Sequence, residues 1–144
     1  MERIKISLPE QFSFSTNIPI RITDINYGNH VGNDTFLSIV HEARMQFLKQ
    51  WGFSELNFGG VSLIMADVAI EFKHELMYGD IVTAYVTATG FDKLGFDIYY
   101  KLTTIKNDKE VLAAKAKTGM MCYDYQLKKR VSVPCEIQNI FTKA

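Results

Sequence analysis

The sequence predicts an α+β domain in which an antiparallel sheet packs against one long helix. Apolar residues recur three or four positions apart between about residues 34 and 51, as on one face of a helix, at Phe36, Val40, Ala43, Phe47 and Trp51. Four later segments alternate apolar and polar residues, which is typical of strands. Because short turns join these four segments, we expect an antiparallel meander with the helix across one face.

The elements before the meander can be placed in chain order. Residues 12–22 are predicted to be a first strand, since Ile18, Ile20 and Ile22 alternate with Pro19 and Arg21. A loop over residues 24–33 follows. Asn33 or Asp34 can cap the N-terminus of the helix, and Gly52 is placed to end it in a left-handed conformation; these three residues bound the element.

The four strands of the meander have bounds that can be read from the alternation. A long first strand should present Ile64, Ala66, Val68, Ile70 and Phe72 on one face. With the strand before the helix, the sheet then has five strands. The predicted meander strands are Val61–Phe72, Ile81–Thr89, Phe96–Ile105 and Glu110–Tyr123.

Composition bounds the class of protein. The 144 residues contain 47% hydrophobic residues and no linker-like stretch, which predicts a single folded domain over residues 1–144. Sixteen basic and sixteen acidic residues cancel, so we expect neither a nucleic-acid nor a membrane partner. Two cysteines without CxxC spacing, no signal-peptide pattern and no long apolar run lead us to expect a cytoplasmic protein, and no ligand spacing indicates a metal.

The charge is nevertheless uneven along the chain. Residues 101–130 carry eight basic and three acidic residues, a local charge of +5. Lys128, Lys129 and Arg130 are candidates for binding a phosphorylated substrate. The alternative is that these residues lie on solvated strand edges and turns, where lysines discourage aggregation of sheets.

The loop between the first strand and the helix is the richest in functional groups. It reads Asp-Ile-Asn-Tyr-Gly-Asn-His-Val-Gly-Asn-Asp-Thr-Phe over residues 24–36. This junction places backbone N–H groups at the positive end of a helix, where developing negative charge is stabilised. The loop resembles the signature of the hotdog-fold acyl-CoA thioesterases, the 4-hydroxybenzoyl-CoA thioesterase family. The order of three further segments also resembles that family: residues 41–44, 77–80 and 112–124.

The resemblance implies a hotdog fold, with a five-stranded antiparallel sheet wrapped around the helix. It implies hydrolysis of an acyl-CoA or acyl-carrier-protein thioester without a cofactor. In the family, a carboxylate acts as base or nucleophile, and an N–H at the start of the helix polarises the thioester carbonyl. The N–H of Gly32 or Asn33 takes that position here, and His30 matches the family's histidine.

The family's catalytic aspartate falls on Asn26, whose amide cannot act as an anionic base. Three carboxylates are alternatives: Asp24, which shares a face with position 26 on an extended segment, Asp34 and Glu42. Each also has a structural interpretation, as a turn residue, a helix cap and a partner for arginine, respectively. Asp34 and Glu42 are therefore also substrate-binding candidates, as is Tyr27, although aromatic residues more often lie in cores or interfaces.

The long strand Val61–Phe72 would leave an apolar edge unpaired in a monomer. We therefore expect a homodimer with a continuous sheet, or a dimer of dimers, and a substrate tunnel at the dimer interface. Two alternative functions remain: a protein that binds acyl thioesters with little turnover because of Asn26, and a hydratase or dehydratase on the same fold.

Overall fold

The computed structural model describes residues 1–143, with side chains up to Phe141. A six-stranded antiparallel sheet has the strand order β1-β3-β4-β5-β2, and the short β6 pairs with β5. The predicted α+β class is confirmed. The elements are β1 (Phe14–Pro19), a 3₁₀ turn (Ile22–Asp24), α1 (Asn33–Lys49), β2 (Ser62–Phe72), β3 (Ile81–Thr89), β4 (Gly95–Lys106), β5 (Lys109–Asp124), β6 (Lys129–Arg130) and α2 (Cys135–Lys143).

The three central strands follow the predicted alternation up to a register shift between β4 and β5 at Leu102 and Thr103. Beyond it the alternation fails, because Thr103 and Thr104 are both buried and Ile105 is exposed. Strand β3 has the predicted bounds, and β4 and β5 are each longer by one residue at both ends. Their apolar sets face α1 and are buried, because this face is covered by the helix and its neighbours. The buried residues include Val82, Ala84, Val86, Ile98, Tyr100, Leu102, Ala114, Ala116, Thr118 and Met120.

The first strand is shorter than predicted. It ends at Pro19, and the chain then turns through the 3₁₀ segment, so that the side chain of Ile22 is exposed instead of lying in the sheet. The N–H of Ile20 donates to the carbonyl of Asp80 at 2.9 Å, beyond the ladder with β3. Asp24 closes the turn by accepting the Arg21 N–H at 2.8 Å.

The side chains predicted to share one face of β2 do not all do so, because the strand contains a β-bulge between Met65 and Asp67. The extra residue reverses the side to which side chains point, so Ile64 and Ala66 do not share a face with Val68. Leu63, which the alternation assigned to the other side, is buried instead. Strand β2 lies at one edge of the sheet.

The ends of α1 also differ in part from expectation. Gly32, and neither Asn33 nor Asp34, is the N-cap residue, and it makes no side-chain cap. At the other end Gly52 has φ 76°, its N–H donates to Lys49 and that of Phe53 donates to Leu48. These are the two hydrogen bonds of a Schellman motif, so the predicted role of Gly52 is confirmed.

Two C-terminal elements, β6 and α2, were not predicted. Helix α2 places Phe141 in an aromatic cluster at the C-terminal end of α1, where its ring centroid lies 4.6 Å from that of Trp51 and 5.4 Å from that of Phe47. The cluster closes the end of the core farthest from the residue 24–36 loop. No helix among residues 1–143 is long enough and apolar enough to cross a membrane.

The N-terminal segment, residues 1–13, runs across the outer face of the sheet. The N–H of Ile6 donates to Glu71 Oε1 at 3.0 Å, and Lys115 Nζ donates to the Ile6 carbonyl at 3.2 Å. Hydrogen bonds from the Lys73 ammonium and then from the Ile6 N–H lower the pKa of Glu71 to about 2. The segment therefore shields the sheet face opposite α1.

Candidate active site

The loop before α1 is organised by Asn26. Its backbone N–H donates to the carbonyl of His30 at 3.0 Å, and its carbonyl accepts the N–H of Asn29 at 3.1 Å. Its side-chain Oδ1 accepts the N–H of Gly28 at 2.8 Å. Asn29 has φ 64°, a conformation that asparagine tolerates better than most residues. The amide at position 26 thus holds the shape of the loop.

The start of α1 offers unpaired backbone donors. The first helical hydrogen bond runs from Phe36 N–H to the Gly32 carbonyl at 3.1 Å. Within residues 1–143, the N–H groups of Gly32 and Asn33 donate to no protein acceptor. A Cβ at Gly32 would lie 2.8 Å from Asp34 Oδ1 and 3.1 Å from Asn26 Nδ2. A larger residue at Gly32 would therefore displace the side chains of Asp34 and Asn26, and the N-terminus that glycine leaves open can stabilise an oxyanion.

A cavity of about 340 Å³ opens beside these donors. It is lined from the loop and α1 by His30, Val31, Asn33 and Phe36, and from the segment after β2 by residues 72–75. The rings of Phe36 and Phe72 meet edge to face, with centroids 5.2 Å apart. The cavity therefore combines an apolar wall with polar groups at one end, as ligand sites generally do.

His30 faces this cavity together with a carboxylate that the sequence did not indicate. Its Nδ1 lies 3.2 Å from the Val31 carbonyl oxygen, and its Nε2 lies 3.9 Å from Glu75 Oε1. The N–H of Val31 donates to the Leu76 carbonyl at 2.9 Å, which ties the loop to the residue after Glu75. Glu75 is 45 positions from His30 in the chain, so no local motif could have revealed the contact.

The structure does not bring Asp24 and Glu42 to the His30 cavity. Both line a different cavity of about 450 Å³ between β1 and α1. Asp24 is engaged by the Arg21 N–H and lies 3.6 Å from the Arg21 guanidinium. Glu42 accepts a hydrogen bond from Gln46 at 2.7 Å. The contacts of Asp24 match its interpretation as a turn residue, whereas Glu42 pairs with Gln46 and not with an arginine as the sequence suggested.

The remaining sequence candidates are dispersed. Tyr27 projects fully into solvent, and Asp34 is exposed on the first turn of α1. Lys128, Lys129 and Arg130 are exposed near the end of β5 that pairs with Ser62, whereas the cavity adjoins Phe72 at the other end of β2. At 3.3 Å per strand residue, about 30 Å separates the two regions within one chain.

A buried polar network, also absent from the sequence analysis, fixes α1 against the sheet. Arg44 Nη1 donates to the Tyr100 hydroxyl at 3.3 Å, and that hydroxyl lies 2.7 Å from Thr118 Oγ1. Glu55 Oε1 accepts from Arg44 Nε at 3.3 Å and lies 2.8 Å from His41 Nε2. Burial raises the pKa of Tyr100, so its hydroxyl stays protonated as the network requires.

The geometry provides no metal site, because the described residues contain no cluster of three or more His, Cys, Asp or Glu side chains suited to a metal ion. What the helix start and the cavity offer instead is stabilisation of negative charge on a carbonyl oxygen. This is the chemistry of acyl transfer.

Comparison with known proteins identifies the family. The model of the thioesterase-like superfamily matches residues 20–141, and the chain belongs to this superfamily. Its hotdog fold, which the resemblance of the loop implied, is thereby confirmed.

Two relatives and one solved structure are similar over most of their length. The 1,4-dihydroxy-2-naphthoyl-CoA hydrolase of Microcystis aeruginosa is 31% identical over 101 residues, 68% of this chain and 70% of the relative. That of Crocosphaera subtropica is 27% identical over 124 residues, 84% and 90% of the two chains. The crystal structure of a 1,4-dihydroxy-2-naphthoyl-CoA thioesterase from Synechocystis superposes with a TM-score of 0.79 at 22% identity, covering 90% and 95%.

Proposed function

We propose that this protein is a thioester hydrolase that cleaves an acyl-CoA to the free acid and CoA. The observation that carries the proposal is the start of α1, where the N–H groups of Gly32 and Asn33 have no protein acceptor among the described residues and Asn33 lines an apolar cavity. A thioester carbonyl placed there gains negative charge on its oxygen as water adds, and fixed N–H donors lower that barrier. Membership of the thioesterase-like superfamily supports the same reaction.

The residues that line the cavity support the proposal that the substrate has a flat, aromatic acyl group. Phe36 and Phe72 present ring faces and edges at one side, and such surfaces favour aromatic contacts. The two curated relatives are named as hydrolases of 1,4-dihydroxy-2-naphthoyl-CoA, a bicyclic aromatic thioester. We therefore propose an aromatic acyl-CoA as substrate in preference to an acyl-carrier protein.

The working form is proposed to be a homodimer joined along β2, with a dimer of dimers as the larger alternative. Strand β2 is a sheet edge of 11 residues, and Met65, Val68 and Phe72 on it are 46%, 39% and 44% exposed. An unpaired edge of this length and apolarity is a liability that a two-fold partner removes.

A dimer of this kind would also give a role to the cationic turn that contains Lys128, Lys129 and Arg130. Antiparallel pairing of β2 with its copy places the start of one β2 beside the end of the other. Lys128, Lys129 and Arg130 of one chain would then approach the cavity of its partner, although they lie far from their own. We propose that these exposed cations contact the CoA phosphates in trans.

The proposal also concerns the setting of the activity. We propose that residues 1–144 act as one domain, in the cytoplasm, without a cofactor. The balanced charge and the two unpaired cysteines, one buried and one exposed, support this setting.

Release of free thiol from a panel of aromatic and aliphatic acyl-CoAs tests the function. We expect turnover that is fastest on an aromatic member of the panel. Tight binding of acyl-CoA by calorimetry with no thiol release would instead indicate a binding protein. Loss of enoyl-CoA absorbance without thiol release would indicate a hydratase.

A further inference from the structure

We propose that His30 is the general base of the hydrolysis and that Glu75 is its positioning residue. This inference rests on the proposed thioesterase function. It addresses a gap in the site: the loop needs a proton acceptor, and position 26 carries an amide whose Oδ1 is already occupied by the Gly28 N–H at 2.8 Å.

Among the described residues, Glu75 is the carboxylate that lines the same cavity as His30 and Asn33. Asp24 and Glu42 line the other cavity and are held by Arg21 and Gln46. Of the remaining acidic side chains near the loop, Asp34 lies beside Gly32, with Oδ1 2.8 Å from the position of a Cβ there, and does not line the His30 cavity.

The orientation of His30 suits a base. A carbonyl oxygen can only accept, so the 3.2 Å contact of Nδ1 with the Val31 carbonyl places the ring proton on Nδ1. In the neutral ring, Nε2 then carries the lone pair, and this atom faces Glu75 Oε1 at 3.9 Å. The hydrogen bond from Val31 N–H to Leu76 fixes the two segments relative to each other, since Leu76 is fully buried.

The step balances with water as the only co-reactant. The water oxygen bonds to the thioester carbon while His30 Nε2 takes a water proton, and the carbonyl electron pair moves to the oxygen beside the Asn33 N–H. When the intermediate collapses, the C–S bond breaks and the sulfur of CoA receives the proton from the imidazolium. The Glu75 carboxylate stabilises the positive charge that His30 holds between these two events.

Two further titratable groups surround the pair. His74 Nδ1 lies 2.8 Å from the backbone carbonyl of Glu75, and Lys73 is paired with Glu71 at 2.7 Å. His74 is the competing base, because it lines the same cavity. It therefore has to be tested beside His30.

The test compares kcat and KM for thiol release by wild type and five variants, one of which is His74→Gln. We expect His30→Gln to lower kcat by about 10²-fold or more, the usual contribution of a general base. We expect Glu75→Gln to lower kcat by roughly 5-fold at unchanged KM, as an exposed ion pair allows. Glu75→Asp should recover part of the loss. Glu10→Gln, which removes an exposed carboxylate of the N-terminal segment, is the matched control and should match wild type.

The pH profile separates positioning from structure. In Glu75→Gln the acid limb of kcat should move to lower pH, because the imidazolium loses its neighbouring carboxylate, whereas a merely structural role would leave it in place. An unchanged limb and kcat in Glu75→Gln would overturn the inference, as would a loss in His74→Gln with His30→Gln active. Either result leaves the thioesterase function intact, while absence of wild-type thiol release refutes both.

Discussion

Replacing Tyr100 by phenylalanine removes a single oxygen from the network that holds α1 on the sheet. The hydroxyl lies 2.7 Å from Thr118 Oγ1 and accepts from Arg44 Nη1 at 3.3 Å, and Tyr100 and Thr118 are fully buried. The variant leaves one hydroxyl and one guanidinium N–H without that partner. A neutral hydrogen bond contributes about 1 kcal/mol and one to a charged group about 1.5–3 kcal/mol, so we expect a loss of roughly 2–4 kcal/mol.

The assay is urea and thermal unfolding at one fixed protein concentration, since assembly would otherwise shift the midpoints. For a chain of this size, a loss of 2–4 kcal/mol corresponds to a fall in Tm of roughly 6–14 °C. The control is Tyr85→Phe, on the outer face, where the hydroxyl makes one exposed contact of 3.4 Å with Glu110. We expect that control to lie within about 0.5 kcal/mol of wild type.

Alkaline pH gives a second measurement on Tyr100→Phe. Burial raises the pKa of Tyr100 above its ordinary value near 10, so the unfolded chain releases this proton before the folded one does. Folding stability must therefore fall as the pH rises above about 10, and part of that slope should vanish in the variant. Equal stabilities of wild type and Tyr100→Phe, at neutral and alkaline pH, would refute the reasoning.

Three further predictions concern the loop, the edge strand and the cationic turn. Asn26→Asp should leave thiol release level or raise it and add a carboxylate limb to the pH profile; abolished activity would mean that the amide itself donates a needed hydrogen bond. Wild type should sediment as a dimer at micromolar concentration and Val68→Lys should shift it toward monomer, whereas a wild-type monomer would exclude the β2 interface. Alanine at Lys128, Lys129 and Arg130 together should raise KM for acyl-CoA and weaken its dependence on salt, and an unchanged KM would leave these residues as solvated turn residues.

The helix and the central strands were predictable because their signals are local. Along most of β3 to β5 successive side chains face the same two environments in turn, so alternation in the sequence maps onto burial as far as the register shift at Leu102 and Thr103. The face of β2 was not predictable, because the bulge before Asp67 is stabilised from another strand: Asp67 Oδ1 accepts the Gly119 N–H at 2.9 Å. Helix α2 was missed although Ile137, Ile140 and Phe141 have helical spacing.

The candidate site, like the fold, was predictable from the sequence only where its signals are local. The donors at Gly32 and Asn33 follow from a loop meeting a helix, and the sequence alone indicated them. The assignment of Asp24 as the nearest carboxylate relied on sequence proximity, and the fold places it in a separate cavity. Glu75 lies near His30 because the N–H of Val31 donates to the carbonyl of Leu76. This hydrogen bond joins segments that are distant in the chain, so no local sequence motif indicates it.

Asn26 shows how the shape and the chemistry of this loop can be separated. An aspartate at this position could accept the Gly28 N–H as the amide oxygen of Asn26 does. Asparagine in place of aspartate therefore keeps the turn that directs the start of α1 toward the cavity. Asparagine in place of aspartate removes one negative charge near the N–H donors of Gly32 and Asn33. A site that keeps its oxyanion donors and loses its anion can still accelerate hydrolysis if a neutral base stands nearby, and a neutral imidazole meets that requirement without opposing the charge that develops on the substrate.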